Sequence, residues 1–168
     1  MDKNNKLVQA IQVLTDHVPK PETGLPDEVF DYISQTTPLV NVDLLIKDEN
    51  ERTLLAWRDD PYCGQGWHVP GGIVRLKESL QDRVIKVAEN EIGTTVTFEP
   101  VPMAIHQFIH PERAVRSHFI SILFKCFLPG KYVPENKGLT PRKPGYLMWH
   151  ERCPHELLKF HEIYRSYI

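Results

Sequence analysis

The chain has 168 residues, of which 25% are charged, and its formal net charge is −2. This length is sufficient for one well-buried core, so we expect a single compact enzyme domain. The sequence has no basic block typical of nucleic-acid binding, no apolar run of transmembrane length and no signal-peptide pattern, which predicts a cytoplasmic protein without a nucleic-acid or membrane partner.

The number and spacing of the cysteines are typical of a protein in a reducing compartment. Cys63, Cys126 and Cys153 are too few and too scattered for a disulfide framework or a structural zinc site. We therefore expect three free thiols.

The N-terminal part is predicted to be a helix followed by a linker. An amphipathic helix is predicted over residues 5–16, and a proline-rich link separates it from a second short helix at about 27–35. The apolar side of the first helix carries Leu7, Val8, Ile11 and Leu14. We divide the chain into this helix with its link (1–25) and one domain (26–168). The helix either packs on the domain or supplies a dimer contact, and the sequence leaves both alternatives open.

The rest of the chain alternates between strand and helix patterns. Residues 40–47 and 53–58 predict a hairpin, and a helix over about 79–92 is expected to stop at Gly93. Further elements are predicted as strands near 95–109, 117–128 and 145–149 and a closing helix over 154–167. Strands on both sides of a central helix, with another helix at the end, predict an α/β fold with a mixed β-sheet between helical layers.

An acidic residue interrupts the apolar face of the central helix. Leu80, Val84 and Val87 recur at helical spacing, and Glu91 is the next member of that stripe. A carboxylate at the inner end of such a face must be paired, hydrogen-bonded or bound to a cation. The turn that contains Gly71 leads into the helix, so backbone carbonyls could converge there and form a hard-cation site of oxygen ligands.

Residues 72–93 resemble the Nudix box. The positions that match in register are Gly72, Glu78, Glu91 and Gly93, with Ala88 at the small apolar position. The positions that differ are Lys86 in place of arginine, Val87 and Asn90 in place of two acids, and Thr94 in place of an aliphatic residue. The GDP-mannose mannosyl hydrolase branch also lacks two of those acids, and the flanking sequence over roughly residues 26–130 is similar to that branch.

This resemblance implies a Nudix α/β/α sandwich and an Mg²⁺-dependent hydrolase, with Mn²⁺ as an alternative ion. The implied substrate is a nucleoside diphosphate sugar or a related small-molecule derivative, and a homodimer is an open alternative. The implied metal ligands are the Glu91 carboxylate and the Gly71 carbonyl, while Glu78 would act nearby on a metal-bound water or a basic group. In the alternative interpretation, Glu91 pairs with Lys86 or an outside arginine, and Glu78 is an acid favoured by the helix dipole.

Three further residues match positions of that branch, and a fourth lies two residues from one. Arg58 matches an arginine that binds the diphosphate, with a solvated strand-end arginine as the alternative. Arg75 could substitute for a second arginine, whose position is occupied here by Ile73. Asp43 and His118 interrupt apolar strands and match positions that contact the sugar and assist its departure, which makes both candidates for substrate binding and catalysis. The alternative is that both are satisfied core groups.

One departure from the family pattern concerns the general base. The branch carries a Gln-His pair in the loop before the last strand, where this chain has Lys143 and Pro144. His68, His150 and His155 are the nearest replacements in the sequence. Attack at phosphorus and attack at the anomeric carbon both stay open, as does a non-catalytic or weakly active nucleotide-binding module. We interpret His106, His110, Arg113 and Arg116 as surface residues, with the mouth of the site as the alternative.

Overall fold

The computed structural model describes residues 3–168. The α-helices of this part are α1 (Lys3–His17), α2 (Asp27–Ser34) and α3 (Leu80–Val87). The strands are β1 (Leu39–Lys47), β2 (Thr53–Asp60), β3 (Gly64–His68), β4 (Gly71–Ile73), β5 (Thr97–Phe98), β6 (Ala104–Ile109), β7 (His118–Phe127) and β8 (Leu147–His150). A π-helical turn over Ala88–Ile92 extends α3, and 3₁₀ turns lie at Pro21–Thr23, Asn136–Gly138 and Lys159–Tyr164.

The strands form one mixed sheet, as predicted, and it contains eight strands. β1 runs parallel to β7 along its whole length and antiparallel to β4, while β2 pairs with β3 and β8. β1 and β2 form the predicted hairpin but are in register only at Lys47 and Thr53, next to the turn. Beyond this point they diverge, and β3 and β4 lie in the opening between them. The opening creates the space for a site inside the sheet.

Alternation along β1 explains the two layers that cover the sheet. Val42 and Leu44 are fully buried on the side of α3, where they share a core with Val84. Leu45 faces the opposite side and packs in a second core with Tyr164 of the C-terminal segment. Because successive side chains of a strand point to opposite faces, one strand supplies both cores.

The closing helix predicted over residues 154–167 is wrong. Only Lys159–Tyr164 is helical, and it is a 3₁₀ turn. The backbone before it forms a parallel bridge with β3, in which Trp67 donates to the carbonyl of Glu156 and accepts from the amide of Leu158. These bridge contacts use backbone groups that a helix would need for its own hydrogen bonds.

The N-terminal helix is exposed over residues 4–17. Every side chain over residues 4–17 is exposed to solvent. In the part of the chain that the structure describes, no helix has both the length and the apolar character needed to cross a membrane. Cys63, Cys126 and Cys153 are free thiols, as expected.

Candidate active site

Two neighbouring cavities lie where β1 and β2 diverge. The first cavity has a volume of about 270 Å³, and its walls include Asp43, Gly71 and Arg116. The second cavity has a volume of about 710 Å³, and its walls include Glu91 and Tyr132. The side chains that line both cavities are Arg58, Asp60 and His68. Through these shared walls the cavities form one candidate site.

Glu78 is held by basic groups next to α3. Its carboxylate accepts from Nε of Arg83 at 2.7 Å, from Nζ of Lys86 at 2.8 Å and from the backbone amide of Arg75 at 3.0 Å. Burial alone raises the pKa of Glu78, but these hydrogen bonds outweigh it and lower the pKa to about 2. Glu78 was expected to act on a metal-bound water or on a basic group. Its contacts with Arg83 and Lys86 are of the second kind.

Glu91 has a different environment, because Lys86 is engaged by Glu78. The Glu91 side chain is 31% exposed, lines the second cavity and lies 3.8 Å from Nε2 of His68, which is longer than a hydrogen bond. It therefore presents a carboxylate to the cavity, and the predicted alternative of a pair with Lys86 is not observed.

Close packing of β4 on α3 explains the glycine at position 72. A Cβ atom at Gly72 would lie 2.8 Å from Cγ2 of Val87, so only glycine allows this approach without displacement. Gly71 lines the first cavity beside it. Gly72 is thus required by packing against α3, whereas the space at Gly71 is limited by Asp43 and the carbonyl of Val42 on β1.

Asp43 is a satisfied buried group and also part of the cavity wall. Ser121 and Tyr164 donate hydrogen bonds to its Oδ2, and Asn41 donates to its Oδ1. Burial raises the pKa of Asp43 to about 6, although the bonds from Ser121 and Tyr164 lower it. A Cβ atom at Gly71 would overlap Oδ1 of Asp43, so the two residues are in direct contact. Asp43 is therefore mostly a carboxylate at pH 7 and becomes protonated as the pH falls below about 6.

The structure adds His161, which sequence reasoning missed. His161 lies in the C-terminal 3₁₀ turn, is buried, and lines the first cavity. Its Nδ1 accepts the backbone N–H of Val69, so the neutral ring carries its proton on Nε2. Burial, together with the nearby His68 and Arg58, lowers the pKa of His161 well below its usual value. No sequence pattern links residues so far apart as Val69 and His161.

The first cavity contains basic residues that the sequence interpretation assigned to the surface. His110, Arg113 and Arg116 all line it, so that interpretation is wrong for these three. His106 instead packs against Tyr164, with ring centroids 5.4 Å apart.

Arg116 is fixed between aromatic rings. Its guanidinium lies 4.9 Å from the ring centroid of Phe30 and 4.6 Å from that of Tyr62. Asp31 pairs with it at 3.1 Å. Two of these partners, Phe30 and Asp31, lie on α2, so the second helix shapes the first cavity. Aromatic faces and guanidinium planes together favour a planar, anionic ligand.

Arg58 lies between the two cavities. Its side chain is 36% exposed, and its Nε is 3.3 Å from Oδ2 of Asp60. A planar guanidinium in this place can bind phosphate oxygens on either side. Its contact with a diphosphate stays a prediction.

Two predicted substrate-binding residues lie away from the cavities. His118 bonds to Gln107 at 2.9 Å on the exposed side of its strand, while its neighbour Phe119 lines the first cavity. Arg75 is exposed, and its guanidinium lies against Gly24 of the linker. The predicted roles of His118 and Arg75 gain no support from these placements.

Of the three candidates for the missing base, only His68 lines the two cavities. His68 lines both cavities, and Pro144 lines the second. His150 is buried in the core, where burial lowers its pKa to about 4, and His155 is exposed.

The residues present fit a magnesium ion that is bound mainly by substrate and water. Within residues 3–168, no three His, Cys, Asp or Glu side chains converge as a metal cluster. The site instead offers the carboxylate of Glu91 and the backbone of Gly71 at adjoining cavities. Mg²⁺ keeps several waters and is commonly held by one or two carboxylates together with substrate phosphates. This donor set is consistent with that chemistry.

A comparison with models of protein families assigns the chain to a family. The model of the NUDIX domain matches residues 37–164. The chain therefore belongs to the Nudix family, as its resemblance to the Nudix box predicted.

Similar proteins and structures support this assignment. The chain is 41% identical over 80 residues to the low-salt glycan biosynthesis protein Agl8 of Haloferax volcanii, covering 48% of this chain and 51% of that protein. It is 30% identical over 87 residues to an ADP-ribose pyrophosphatase of Methanocaldococcus jannaschii, covering 52% and 49%. The chain thus spans about half the length of these curated relatives.

A MutT NUDIX hydrolase of Burkholderia pseudomallei has the same fold. Its structure matches with a TM-score of 0.58 and 20% identity, covering 79% of this chain and 98% of that one. A NUDIX hydrolase of Nitrosomonas europaea matches with a TM-score of 0.53 and 17% identity, covering 68% and 72%. At these identities the match concerns the fold alone.

Proposed function

We propose that this protein is an Mg²⁺-dependent hydrolase of a nucleoside diphosphate sugar or a related nucleoside diphosphate derivative. The observation that carries the proposal is the placement of Arg58 between two adjoining cavities, one bordered by the Glu91 carboxylate and the other by Gly71. A diphosphate that lies across the boundary between the two cavities would contact Arg58. It would also lie close to Glu91 and Gly71, the proposed metal ligands. The remaining parts of the substrate would occupy the two cavities.

Each residue of the site has a separate role in this proposal. Arg58 binds the diphosphate oxygens, and the carboxylate of Glu91 and the carbonyl of Gly71 would hold Mg²⁺. When bound, the ion neutralises charge on the diphosphate. Nε2 of His68 accepts a proton from water, and the carboxylate of Glu91, 3.8 Å away, stabilises the imidazolium that forms. Asp43 lines the first cavity, where its carboxyl group can contact the substrate.

The relatives agree with this substrate class. The name of one relative refers to glycan biosynthesis, and that of the other to ADP-ribose, which is a nucleoside diphosphate derivative. The first cavity adds a chemical argument, because Arg113 and Arg116 bring positive charge to a wall that also contains Phe30 and Tyr62. Such a wall suits a base or sugar that is attached to phosphate.

A second candidate is a nucleotide-binding module without catalysis. It is favoured by the replacement of two box acids by Val87 and Asn90, which leaves Glu91 as the single box carboxylate at the second cavity. One carboxylate gives a weaker metal site than several.

Product analysis distinguishes these candidates. The protein is incubated with sugar nucleotides and ADP-ribose in the presence of Mg²⁺ or Mn²⁺, and the products are separated by chromatography. Release of nucleoside monophosphate with sugar phosphate indicates attack at phosphorus, while free sugar with intact nucleoside diphosphate indicates attack at the anomeric carbon. Binding without turnover of any compound supports the module instead.

Replacing Glu91 by Gln tests the catalytic centre. We expect kcat to fall about 100-fold, equivalent to roughly 3 kcal/mol of barrier, because the neutral amide binds the cation poorly. Glu89→Gln is the matched control, since Glu89 is exposed on the same turn and lines neither of the two cavities. Equal activity of Glu91→Gln and wild type would refute the role of Glu91.

A further inference from the structure

His161 is a buried polar residue of the first cavity that none of the proposed catalytic steps uses. The residue is 4% exposed, and it lines that cavity. Phe160 and Tyr164 pack edge-on against its ring, with centroids 4.5 and 5.2 Å away, and Phe108 stacks on it at 6.3 Å. These aromatic neighbours fix the orientation of the imidazole.

The hydrogen bond of one ring nitrogen determines what the other nitrogen can do. Nδ1 of His161 accepts the backbone N–H of Val69 at 3.1 Å. In a neutral imidazole whose Nδ1 is an acceptor, Nε2 carries the proton and is a donor. Burial and the neighbouring His68 and Arg58 keep the ring neutral, because they lower its pKa. His161 therefore has no free lone pair for a proton and is a fixed, uncharged donor.

This donor has no acceptor in the part of the chain that the structure describes. Within residues 3–168, the bond from Val69 is the only hydrogen bond of the His161 side chain. Nε2 of His161 is not one of the fully occluded polar atoms that lack a partner, so its surface reaches the cavity. A buried donor without an acceptor is unfavourable, and an oxygen of a ligand in the cavity would satisfy it.

We propose that the Nε2–H group of His161 donates a hydrogen bond to the substrate, to a hydroxyl or carbonyl oxygen of the part that occupies the first cavity. This inference rests on the proposed function, because it requires a substrate in that cavity. Arg58 already provides positive charge for the diphosphate, so an uncharged donor selects an uncharged oxygen of the attached group. A site built to hydrogen-bond such an oxygen discriminates against compounds that lack it.

Two substitutions separate this role from the structural role of the ring. Oδ1 of the asparagine in His161→Asn can take the place of Nδ1 and accept from Val69, but no atom then lies at the position of Nε2. The longer side chain in His161→Gln can place an amide N–H near that position. His150→Asn is the matched control, since His150 is buried and lines neither of the two cavities. Tryptophan fluorescence checks that each variant is folded.

NMR titration with GDP-mannose and with ADP-ribose, in EDTA to prevent turnover, measures binding. We expect the dissociation constant to rise about 3–10-fold for His161→Asn, less for His161→Gln, and less than about twofold for His150→Asn. A purely structural role predicts the opposite order of the two His161 variants, because only asparagine preserves the bond from Val69. Equal affinity of His161→Asn and the wild type would overturn the proposal.

Ring nitrogen shifts of protein labelled with ¹⁵N-histidine test the tautomer without any ligand. We expect a neutral ring with its proton on Nε2 between about pH 6 and 8, and a change of the Nε2 signal when the tighter-binding of the two probes is added. The signals that disappear in His161→Asn identify those of His161. A proton on Nδ1 would overturn this inference alone, and so would a probe that shifts the signals of His68 but not those of His161. Binding of neither probe would overturn the proposed substrate class as well.

Discussion

At the scale of single residues, Glu78 and Glu91 show how neighbours decide the role of two similar acids. The Glu78 side chain is 6% exposed and is bonded to Arg83 and Lys86. The engagement of Lys86 leaves Glu91 facing the second cavity. We infer that Glu78 stabilises the fold around α3, while Glu91 is available for a cation.

We therefore expect Glu78→Gln to reduce the free energy of unfolding by roughly 2–3 kcal/mol at neutral pH. The pKa of Glu78 is lowered from 4.5 to about 2 in the folded protein. Its stabilisation is then complete above pH 4.5 and is lost as the pH falls towards 2, so the difference between variant and wild type should shrink over that interval. Urea unfolding at a series of pH values measures this.

Glu89→Gln serves as the control for that series. Glu89 is exposed on the neighbouring turn, and we expect its replacement to change the unfolding free energy by less than about 0.5 kcal/mol. A difference for Glu78→Gln that stays constant between pH 7 and the acid range would show that its charge is not the source of the stabilisation.

The sequence predicted the local part of the site better than its long-range part. Gly71, Gly72 and Glu91 line the adjoining cavities, and the sequence could select them because the spacing of a turn and a helix is visible in consecutive residues. His161 was missed because it reaches Val69 only through the folded C-terminal segment. The closing helix was likewise predicted from the pattern of apolar residues over 154–167. That pattern could not show that part of this backbone pairs with β3 instead.

At the scale of elements, the end of α3 determines where Glu91 points. The helix continues into the π-helical turn Ala88–Ile92 and ends at Gly93, whose φ is +81°. The amide of Gly93 donates to the carbonyl of Ala88 at 3.0 Å. This left-handed cap, which the sequence predicted, terminates the turn two residues after Glu91.

Gly93→Ala should destabilise the protein by about 1–2 kcal/mol, because an alanine Cβ is strained in the left-handed conformation. No heavy atom lies within 4 Å of a Cβ at this position, so the effect is conformational rather than steric crowding by neighbours. Gly93→Asn is the comparison, since asparagine tolerates this conformation better and should be less destabilising. Thermal unfolding of both variants measures the difference, and equal losses would contradict the proposed cap.

At the scale of the whole molecule, the two ends of the chain differ in how much of their surface the domain buries. The side chains over residues 4–17 are exposed. Tyr164, near the C-terminus, is fully buried and donates to Asp43 at 2.6 Å. The C-terminal segment thus covers one face of the sheet and also supports the first cavity, while α1 does neither.

Removing residues 1–20 should consequently leave the unfolding free energy of the domain unchanged within about 0.5 kcal/mol, measured by urea titration at low protein concentration, where a dimer contributes least. Tyr164→Ala should reduce it by about 3–5 kcal/mol, because a large buried ring is lost and Asp43 loses a hydrogen-bond donor. Tyr167→Ala is the matched control, since Tyr167 is only partly buried and should be less destabilising. If the truncation and Tyr164→Ala were equally destabilising, α1 would have to be part of the folded domain, and the division of the molecule into a free helix and a closed sheet would be wrong.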